Sequence, residues 1–207
     1  MLRIWGRATS ANVQKVMWGI GELGLPHERI DIGGPFGTNN EMPYLGLNPN
    51  GVVPTLEEDG FILWESNSCL RYIASKFGPG RLEPYDLRDR ASAHRWMDWQ
   101  LTTAGPAIFG MFWGLIRTPP EKRDQAAIDK SRAQTTACMT ILDSYLADTA
   151  FLAGDEFSMG DIPVAIITYR YYRLVEDRPP MDNLDRWYRA LEKRPAFQEH
   201  VAAIPFV

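Results

Sequence analysis

The chain has 207 residues, 45% of them hydrophobic, and a formal net charge of −4 at pH 7. This length is enough for one large domain or two small ones. The acidic balance and the lack of a long basic run argue against a nucleic-acid-binding protein, and no run approaches the roughly 18 apolar residues of a membrane span. The two cysteines, Cys69 and Cys138, lack metal-ligand spacing, which predicts a protein of the reducing cytoplasm without a metal site.

Residues 1–32 follow a strand–helix–strand pattern. An apolar run at 2–5 predicts a strand, and Ser10 is a favourable N-cap for a helix whose apolar residues recur at helical spacing. Gly24 is expected to end this helix, and the alternating run at 27–32 predicts a second strand. This order of elements favours a parallel pair of strands with a right-handed crossover.

Glycines at 19, 21 and 24 match the spacing of a dinucleotide-binding fingerprint. That fingerprint requires its glycines between a strand and the N-terminus of a helix. Here they fall at the C-terminal end of the predicted helix, with the second strand after them. We therefore reject a nucleotide site.

Residues 33–77 complete the first domain. They predict a loop, one helical turn, two strands joined by a Glu-Asp-Gly hairpin turn, and a helix. These elements are expected at 33–40, 42–47, 53–57, 61–64 and 66–77. Cys69 falls on the apolar face of the last helix and is expected to be an inert buried thiol. The first domain therefore has the order βαβαββα over residues 1–78.

After a linker at 79–86 every strong signal is helical, and an all-helical domain is expected at 87–207. A long helix at 88–116 is expected to kink at Gly105-Pro106 because proline lacks the N–H of a helix interior. A second helix is expected to begin at Pro119-Pro120 and to continue to residue 147.

Three motifs of the chain resemble those of the cytosolic glutathione transferases. The first is Asn-Pro-Asn-Gly-Val-Val-Pro-Thr-Leu at 48–56, followed by Glu65-Ser66 at the start of a helix. The second is Ser-Met-Gly-Asp at 158–161, a capping box with Asp in the acidic position, and the third is Arg-Pro-Ala-Phe at 194–197. The chain is similar to serine-type bacterial members over essentially its whole length. The resemblance implies an α/β thioredoxin-like N-terminal domain and an all-α helical-bundle C-terminal domain.

The peptide-binding residues implied by the resemblance are Val53, Pro54, Glu65 and Ser66. By themselves, Pro54 suits a strand edge and the Glu-Ser pair suits plain helix capping. The resemblance implies that a cis bond before Pro54 exposes the Val53 backbone to an extended peptide. It also implies that Ser66 and the helix N–H groups hold the γ-glutamyl carboxylate of glutathione, with Glu65 pairing with its ammonium group.

Ser10 and Asn12 compete for the activation of the glutathione thiol. A simple N-cap would explain Ser10, but a helix N-terminus also favours an anion. Lowering a thiol pKa from about 8.5 by about two units needs about 2.7 kcal/mol, the size of one charge-assisted hydrogen bond plus a helix end. The resemblance implies that Ser10 donates to the sulfur, with Asn12 as the alternative donor. The segment holds no Tyr or Cys, which argues against tyrosine-type transferases and cysteine-type reductases.

The glycyl end of glutathione lacks an obvious charged partner in this sequence. Related transferases often carry His, Lys or Gln near the positions of Asn39 and Asn40, and Lys or Gln where Val52 stands. By this resemblance, Asn39 and Asn40 are expected to bind the glycyl carboxylate with uncharged donors. Weaker glutathione binding than in a lysine-bearing relative is the consequence.

An electrophile site is expected between the loop that contains Thr9 and the helical domain. Aromatic residues on a helix are most often core. Beside Gly105-Pro106 and Gly110, however, a group of them is expected to line a hydrophobic cleft. The candidates for this site are Thr9, Phe109, Phe112, Trp113 and Ile116.

The resemblance implies a cytoplasmic, homodimeric glutathione S-transferase. It would conjugate the thiolate of glutathione, its co-substrate, to hydrophobic electrophiles. A glutathione-dependent disulfide or peroxide reductase of the same fold is one alternative. Another is a non-catalytic binding module, because this fold also recurs in proteins that have lost the chemistry.

Overall fold

The computed structural model describes all residues from Met1 to Val207. They form two compact units, Met1–Glu83 with Arg194–Phe206 and Pro84–Lys193 with Val207. The first unit has the predicted thioredoxin-like α/β fold, and the second is helical as predicted. None of the helices has the length and apolar character needed to span a membrane.

The first unit is built on a four-stranded mixed sheet with the strand order β2-β1-β3-β4. β1 and β2 are parallel, whereas β3 is antiparallel to both of its neighbours. The second and third strands are shorter than predicted, and β3 begins after Pro54, which has no N–H to donate to a ladder. The strands are β1 (Leu2–Trp5), β2 (His27–Ile30), β3 (Thr55–Glu58) and β4 (Phe61–Trp64).

The register places four strand ends along one edge of this sheet. Trp5 pairs with Ile30 of β2 and with Thr55 of β3, and Thr55 pairs in turn with Trp64 of β4. The chain therefore leaves β2, β1 and β4, and enters β3, at the same edge. We call this edge the upper edge.

The first unit contains three helices before the C-terminal segment, two of them between strands and one after β4. α1 and α3 pack against each other and against the sheet, and Gly24 ends α1 in the left-handed conformation, as predicted. The helices are α1 (Ala11–Leu23), α2 (Tyr44–Leu47) and α3 (Ser66–Phe77). The core between these layers consists of Leu2, Ile4, Val13, Val16, Met17, Ile20, Leu56, Cys69 and Ile73.

The second unit contains five further helices. The long helix predicted at 88–116 is interrupted by a π-helical turn at Gln100–Ala104, directly before Gly105-Pro106, where the kink was predicted. The next long helix begins at Gln125 and not at Pro119-Pro120, because Asp124 caps it by accepting from the Ala127 N–H at 3.0 Å. The helices are α4 (Leu87–Trp99), α5 (Gly105–Phe112), α6 (Gln125–Tyr145), α7 (Asp161–Leu174) and α8 (Asp182–Glu192).

The start of α7 contains the acidic half of the predicted capping box. The buried carboxylate of Asp161 accepts from the N–H of Ser158 at 2.9 Å, and also from the Leu152 N–H and the Trp187 indole at 3.0 and 2.8 Å. The Ser158 hydroxyl accepts from the N–H of Gly160. This carboxylate therefore joins the loop between α6 and α7 to α8, as well as capping its own helix.

The C-terminal segment 194–206 packs with the first unit, whereas the sequence-based boundary placed it in the helical domain. Phe197 meets Trp18 of α1 edge to face, with ring centroids 5.0 Å apart. Arg194 donates to both carboxylate oxygens of Glu22 at 2.8 and 2.7 Å. The segment contains α9 (Pro195–Phe197) and a π-helical turn (Gln198–Ala202).

Candidate active site

The upper edge brings together residues that are distant in sequence. Ser10 and Asn12 follow β1, Val53 precedes β3, and Glu65 and Ser66 follow β4. Their placement follows from the topology, because the strands that precede or follow them end at this edge. All five were predicted to bind or activate glutathione.

Ser10 occupies the N-cap position of α1 without acting as a side-chain cap. Its backbone is extended (φ −80°, ψ 122°) and its carbonyl accepts from the Gln14 N–H at 2.9 Å, but its hydroxyl makes no capping hydrogen bond. The half-buried Thr9 precedes it in the same turn. The hydroxyl and the first N–H groups of this helix are therefore available to an external acceptor.

This arrangement differs from that of two helices in the helical unit. There, Asp86 accepts from the first turn of α4, and Asp124 does the same for α6. In the first unit, the N-cap residues of α1 and α3, Ser10 and Glu65, make no side-chain capping bond. Both of the uncapped helix ends lie at the upper edge, where partial positive charge favours an anion.

A chain of hydrogen bonds joins α3 to α1. The buried ammonium of Lys15 donates to the Ser66 hydroxyl at 3.3 Å, and this hydroxyl donates to Oδ1 of Asn12, also at 3.3 Å. Lys15 is only 1% exposed. Sequence reasoning missed Lys15, because a lysine within an amphipathic helix gives no sign of burial until the neighbouring helix is placed.

Glu65 has a backbone conformation that side chains other than glycine rarely adopt. Its φ is +69°, and its side chain is exposed at the start of α3. Such a conformation costs about 1–3 kcal/mol and persists where the surrounding structure imposes it, commonly at functional sites. This backbone conformation places the Cβ of Glu65 at the uncapped start of α3.

The Val53–Pro54 bond is cis, as the resemblance implied. Val53 lies outside β3, and its backbone groups take part in none of the turn and loop hydrogen bonds. The preceding carbonyl, of Val52, accepts from the Tyr44 hydroxyl at 2.7 Å and from the Asn48 amide at 2.8 Å. The loop is therefore held from behind, while Val53 keeps its peptide groups for another strand.

Gly6 allows this loop to approach α1. A Cβ atom on Gly6 would lie 2.5 Å from Cγ2 of Val13 and 3.1 Å from Cβ of Val53, and its φ is +151°. No larger residue fits between these two side chains without displacing one of them. The glycine thus sets the distance between the Val53 loop and the start of α1.

Asn39 and Asn40 contact the same loop from the other side. The Asn39 amide donates to the Gly51 carbonyl at 2.6 Å, and a Cβ on Gly51 would lie 2.5 Å from Oδ1 of Asn40. The two amides therefore support the loop that presents Val53. Their predicted contact with a glycyl carboxylate stays a prediction.

Comparisons with known proteins agree with this fold. Family models for the N-terminal and the C-terminal domain of glutathione S-transferase match residues 9–76 and 103–195. Glutathione S-transferase GstB of Escherichia coli K12 is 44% identical over 207 residues, which cover 99% of both chains. The chain belongs to the glutathione S-transferase family. The resemblance seen in the sequence is thus confirmed.

A more distant relative and a solved structure are also glutathione S-transferases. Glutathione S-transferase 3 of Zea mays is 30% identical over 217 residues, covering 99% of this chain and 95% of the relative. The theta-class glutathione S-transferase of Xanthomonas axonopodis pv. citri, solved with glutathione bound, superimposes with a TM-score of 0.95. It is 39% identical and covers 100% of this chain, with 99% of its own chain matched.

The aromatic candidates of the transferase divide into two groups. Phe109 and Trp113 are 60% and 53% exposed and stack on each other, with ring centroids 5.5 Å apart. Ile116 is half-buried. Phe112, by contrast, is buried in the helical unit under the guanidinium of Arg170, which lies 4.0 Å from its ring centre. The exposed apolar surface is therefore formed by the stacked pair.

The two cysteines of the transferase are buried and free. Cys69 lies in the core, donates a weak hydrogen bond to the Leu63 carbonyl at 3.4 Å, and has a pKa that burial raises to about 12. Burial also raises the pKa of Cys138. Neither thiol is suited to act as a nucleophile at neutral pH.

Proposed function

We propose that this transferase conjugates the thiolate of glutathione to hydrophobic electrophiles, and that Ser10 stabilises the thiolate. The observation that carries the proposal is the uncapped start of α1, where the Ser10 hydroxyl makes no capping bond. Asn12 has a different task, because its Oδ1 accepts from Ser66 and so braces the start of α3. Its Nδ2 remains an auxiliary donor toward the sulfur.

Glutathione lies along the upper edge as an extended strand. The backbone N–H of Ser66 and the following N–H groups of α3 bind the γ-glutamyl carboxylate, because the Ser66 hydroxyl donates its proton to Asn12. The buried Lys15 adds positive charge behind Ser66. The exposed Glu65 pairs with the ammonium group of the same unit. Main-chain bonds from Val53 hold the cysteinyl unit, with Pro54 fixing the turn.

The chemistry follows from this placement. The thiol loses its proton to solvent, and the resulting thiolate accepts a hydrogen bond from the Ser10 hydroxyl, which keeps its own proton. The sulfur attacks the electrophilic carbon, a C–S bond forms, and the leaving group departs with its electron pair, or the pair moves to an adjacent acceptor. The enzyme contributes a lower thiol pKa and the proximity of the two reactants.

The electrophile contacts the exposed aromatic pair of the helical unit. Phe109 and Trp113 offer a flat apolar surface that suits planar hydrophobic substrates. Ile116 extends this surface of the helical unit, while the buried Phe112 supports it from within.

We further infer a cytoplasmic homodimer, following the family resemblance. The two free cysteines suit a reducing compartment. The glutathione-binding domain is residues 1–78, joined by the linker 79–86 to a helical domain that begins at residue 87, while the C-terminal segment 194–206 belongs to the first unit.

An absorbance titration of bound glutathione tests the proposal. The thiol pKa is expected to fall by about two units from its free value of about 8.5. The same protein should conjugate an activated aryl halide. An unshifted pKa together with no conjugation would overturn the proposal, and faster turnover with disulfides or peroxides would assign the site to a glutathione-dependent reductase.

A further inference from the structure

We propose that Arg7 binds the glycyl carboxylate of glutathione and supplies the charge that Asn39 and Asn40 lack. The proposal rests on the proposed function, because it takes glutathione as the ligand of the upper edge. The evidence for it is the order of the strand ends, the packing of Arg7 against two glycines, and the distribution of charge.

The strand order fixes the direction in which the tripeptide extends. Along the upper edge the chain segments occur in the order Ser66 after β4, Val53 before β3, Arg7 after β1 and Gly33 after β2. Neighbouring strands are about 4.8 Å apart, so the path from β4 to β1 is about 10 Å. An extended tripeptide has a similar length of about 10 Å. With its γ-glutamyl end at Ser66, its glycyl carboxylate reaches the end of β1.

Two glycines form the surface on which the Arg7 side chain lies. A Cβ on Gly34 would lie 2.8 Å from Cδ and Nε of Arg7, and a Cβ on Gly33 would lie 3.3 Å from its Nη1. The same Cβ on Gly33 would lie 3.5 Å from Cγ1 of Val53 and 3.7 Å from Cγ of Asn39. The guanidinium, the cysteinyl-binding residue and the glycyl-side amide therefore converge on one point. Both glycines have positive φ. Their lack of a side chain therefore permits this backbone conformation and also leaves room for the Arg7 side chain.

The charges at the two ends of this path are complementary to glutathione, which carries one carboxylate at each end. Lys15 stands behind Ser66 at the γ-glutamyl end. Arg7 stands at the glycyl end, where Arg29 pairs with the carboxylate of Asp31. A guanidinium offers two parallel N–H donors that match a carboxylate better than the point charge of a lysine.

A comparison of glutathione with its glycyl amide tests this assignment by calorimetry. Arg7→Gln should weaken glutathione binding about tenfold to a hundredfold, because a charge-assisted hydrogen bond is lost. The Arg7→Gln variant should bind the glycyl amide with the affinity of the wild type, because this ligand has no glycyl carboxylate for Arg7 to bind. The glutathione affinity of Arg7→Lys should lie between those of the wild type and Arg7→Gln. This variant also provides a folded alternative if Arg7→Gln is unstable. Arg3→Gln, which removes an equal charge from an exposed ion pair, is the control and should change nothing.

Several outcomes would overturn the assignment. Equal weakening of glutathione and the amide by Arg7→Gln would make Arg7 a structural residue, and unchanged glutathione binding would remove it from the site. A changed KM for the electrophile alone would place Arg7 with the second substrate. A wild-type protein that binds no glutathione would instead overturn the proposed function, and the Arg7 assignment with it.

Discussion

The hydroxyl of Ser66 donates a hydrogen bond to the amide oxygen of Asn12 at 3.3 Å, which ties the start of α3 to the first turn of α1. These two helix ends are the uncapped ones of the upper edge. The bond orients the Asn12 amide and separates its task from that of Ser10. Substitutions at the two positions should therefore affect different steps.

Ser10→Ala should raise the pKa of bound glutathione by one to two units or so, and lower kcat at neutral pH about tenfold or more, because the thiolate loses one charge-assisted hydrogen bond. Asn12→Ala should mainly raise the Kd for glutathione, since Ser66 loses its acceptor. Thiolate titrations and calorimetry of both variants measure this division. If Asn12→Ala raises the thiol pKa more than Ser10→Ala, the two roles are reversed.

Lys15→Met should weaken glutathione binding without destabilising the protein. The folded state no longer bears the desolvation cost of a buried ammonium, so its stability should change little. The bound carboxylate, however, loses a nearby positive charge, and its Kd should rise about tenfold. Lys130→Met, an exposed position on α6, is the control for the change in net charge. A large loss of stability in Lys15→Met would show that Lys15 serves the fold.

Glu65→Gly should be more stable than Glu65→Ala by about 1 kcal/mol. Both substitutions remove the carboxylate, so their difference isolates the cost of a Cβ at φ +69°. Both should bind glutathione weakly, because the ammonium group loses its partner. Urea unfolding of the two variants measures the difference, and an equal or greater stability of Glu65→Ala would show that no strain is stored there.

Much of this site could be predicted from the sequence, because its residues lie in local motifs. Ser10 and Ser66 each open a helix that the apolar spacing predicts, and Val53 and Pro54 lie in a local motif at the start of a predicted strand. These signals involve only neighbours in the chain. The strand topology then places these residues at the upper edge of the sheet.

What the sequence could not predict depends on contacts between distant segments. In the sequence, Lys15 and Arg7 cannot be distinguished from other charged residues. Lys15 lies beside Ser66 and Arg7 beside Gly34 only after the sheet and both helices have packed. The docking of the C-terminal segment likewise depends on Phe197 meeting Trp18. Local periodicity contains no information on such pairs.

Asp161→Asn should destabilise the helical unit by about 3 kcal/mol or more. The carboxylate accepts four hydrogen bonds, from the Leu152 N–H, the Ser158 N–H and hydroxyl, and the Trp187 indole. An amide NH2 group would face donors on one side and leave buried polar groups unpaired. Asp155→Asn, an exposed position in the preceding loop, is the matched control. Chemical unfolding of both variants measures the effect, and equal stabilities would contradict this role.

The stability of the transferase should fall as the pH decreases from about 7 to 5, with His200 contributing to the loss. Burial lowers the pKa of His200, the nearby His27 ring lowers it further, and Glu199, 3.8 Å away, opposes both. As the pH falls, the unfolded state therefore binds a proton on His200 before the folded state does. The contribution of neutral His200 to the folding stability is complete above the unfolded pKa of about 6.5 and is lost as the pH falls below it. One such group contributes at most about 1.4 kcal/mol per pH unit. His200→Gln should flatten the pH dependence of the unfolding midpoint, and an unchanged slope would show that other groups control it.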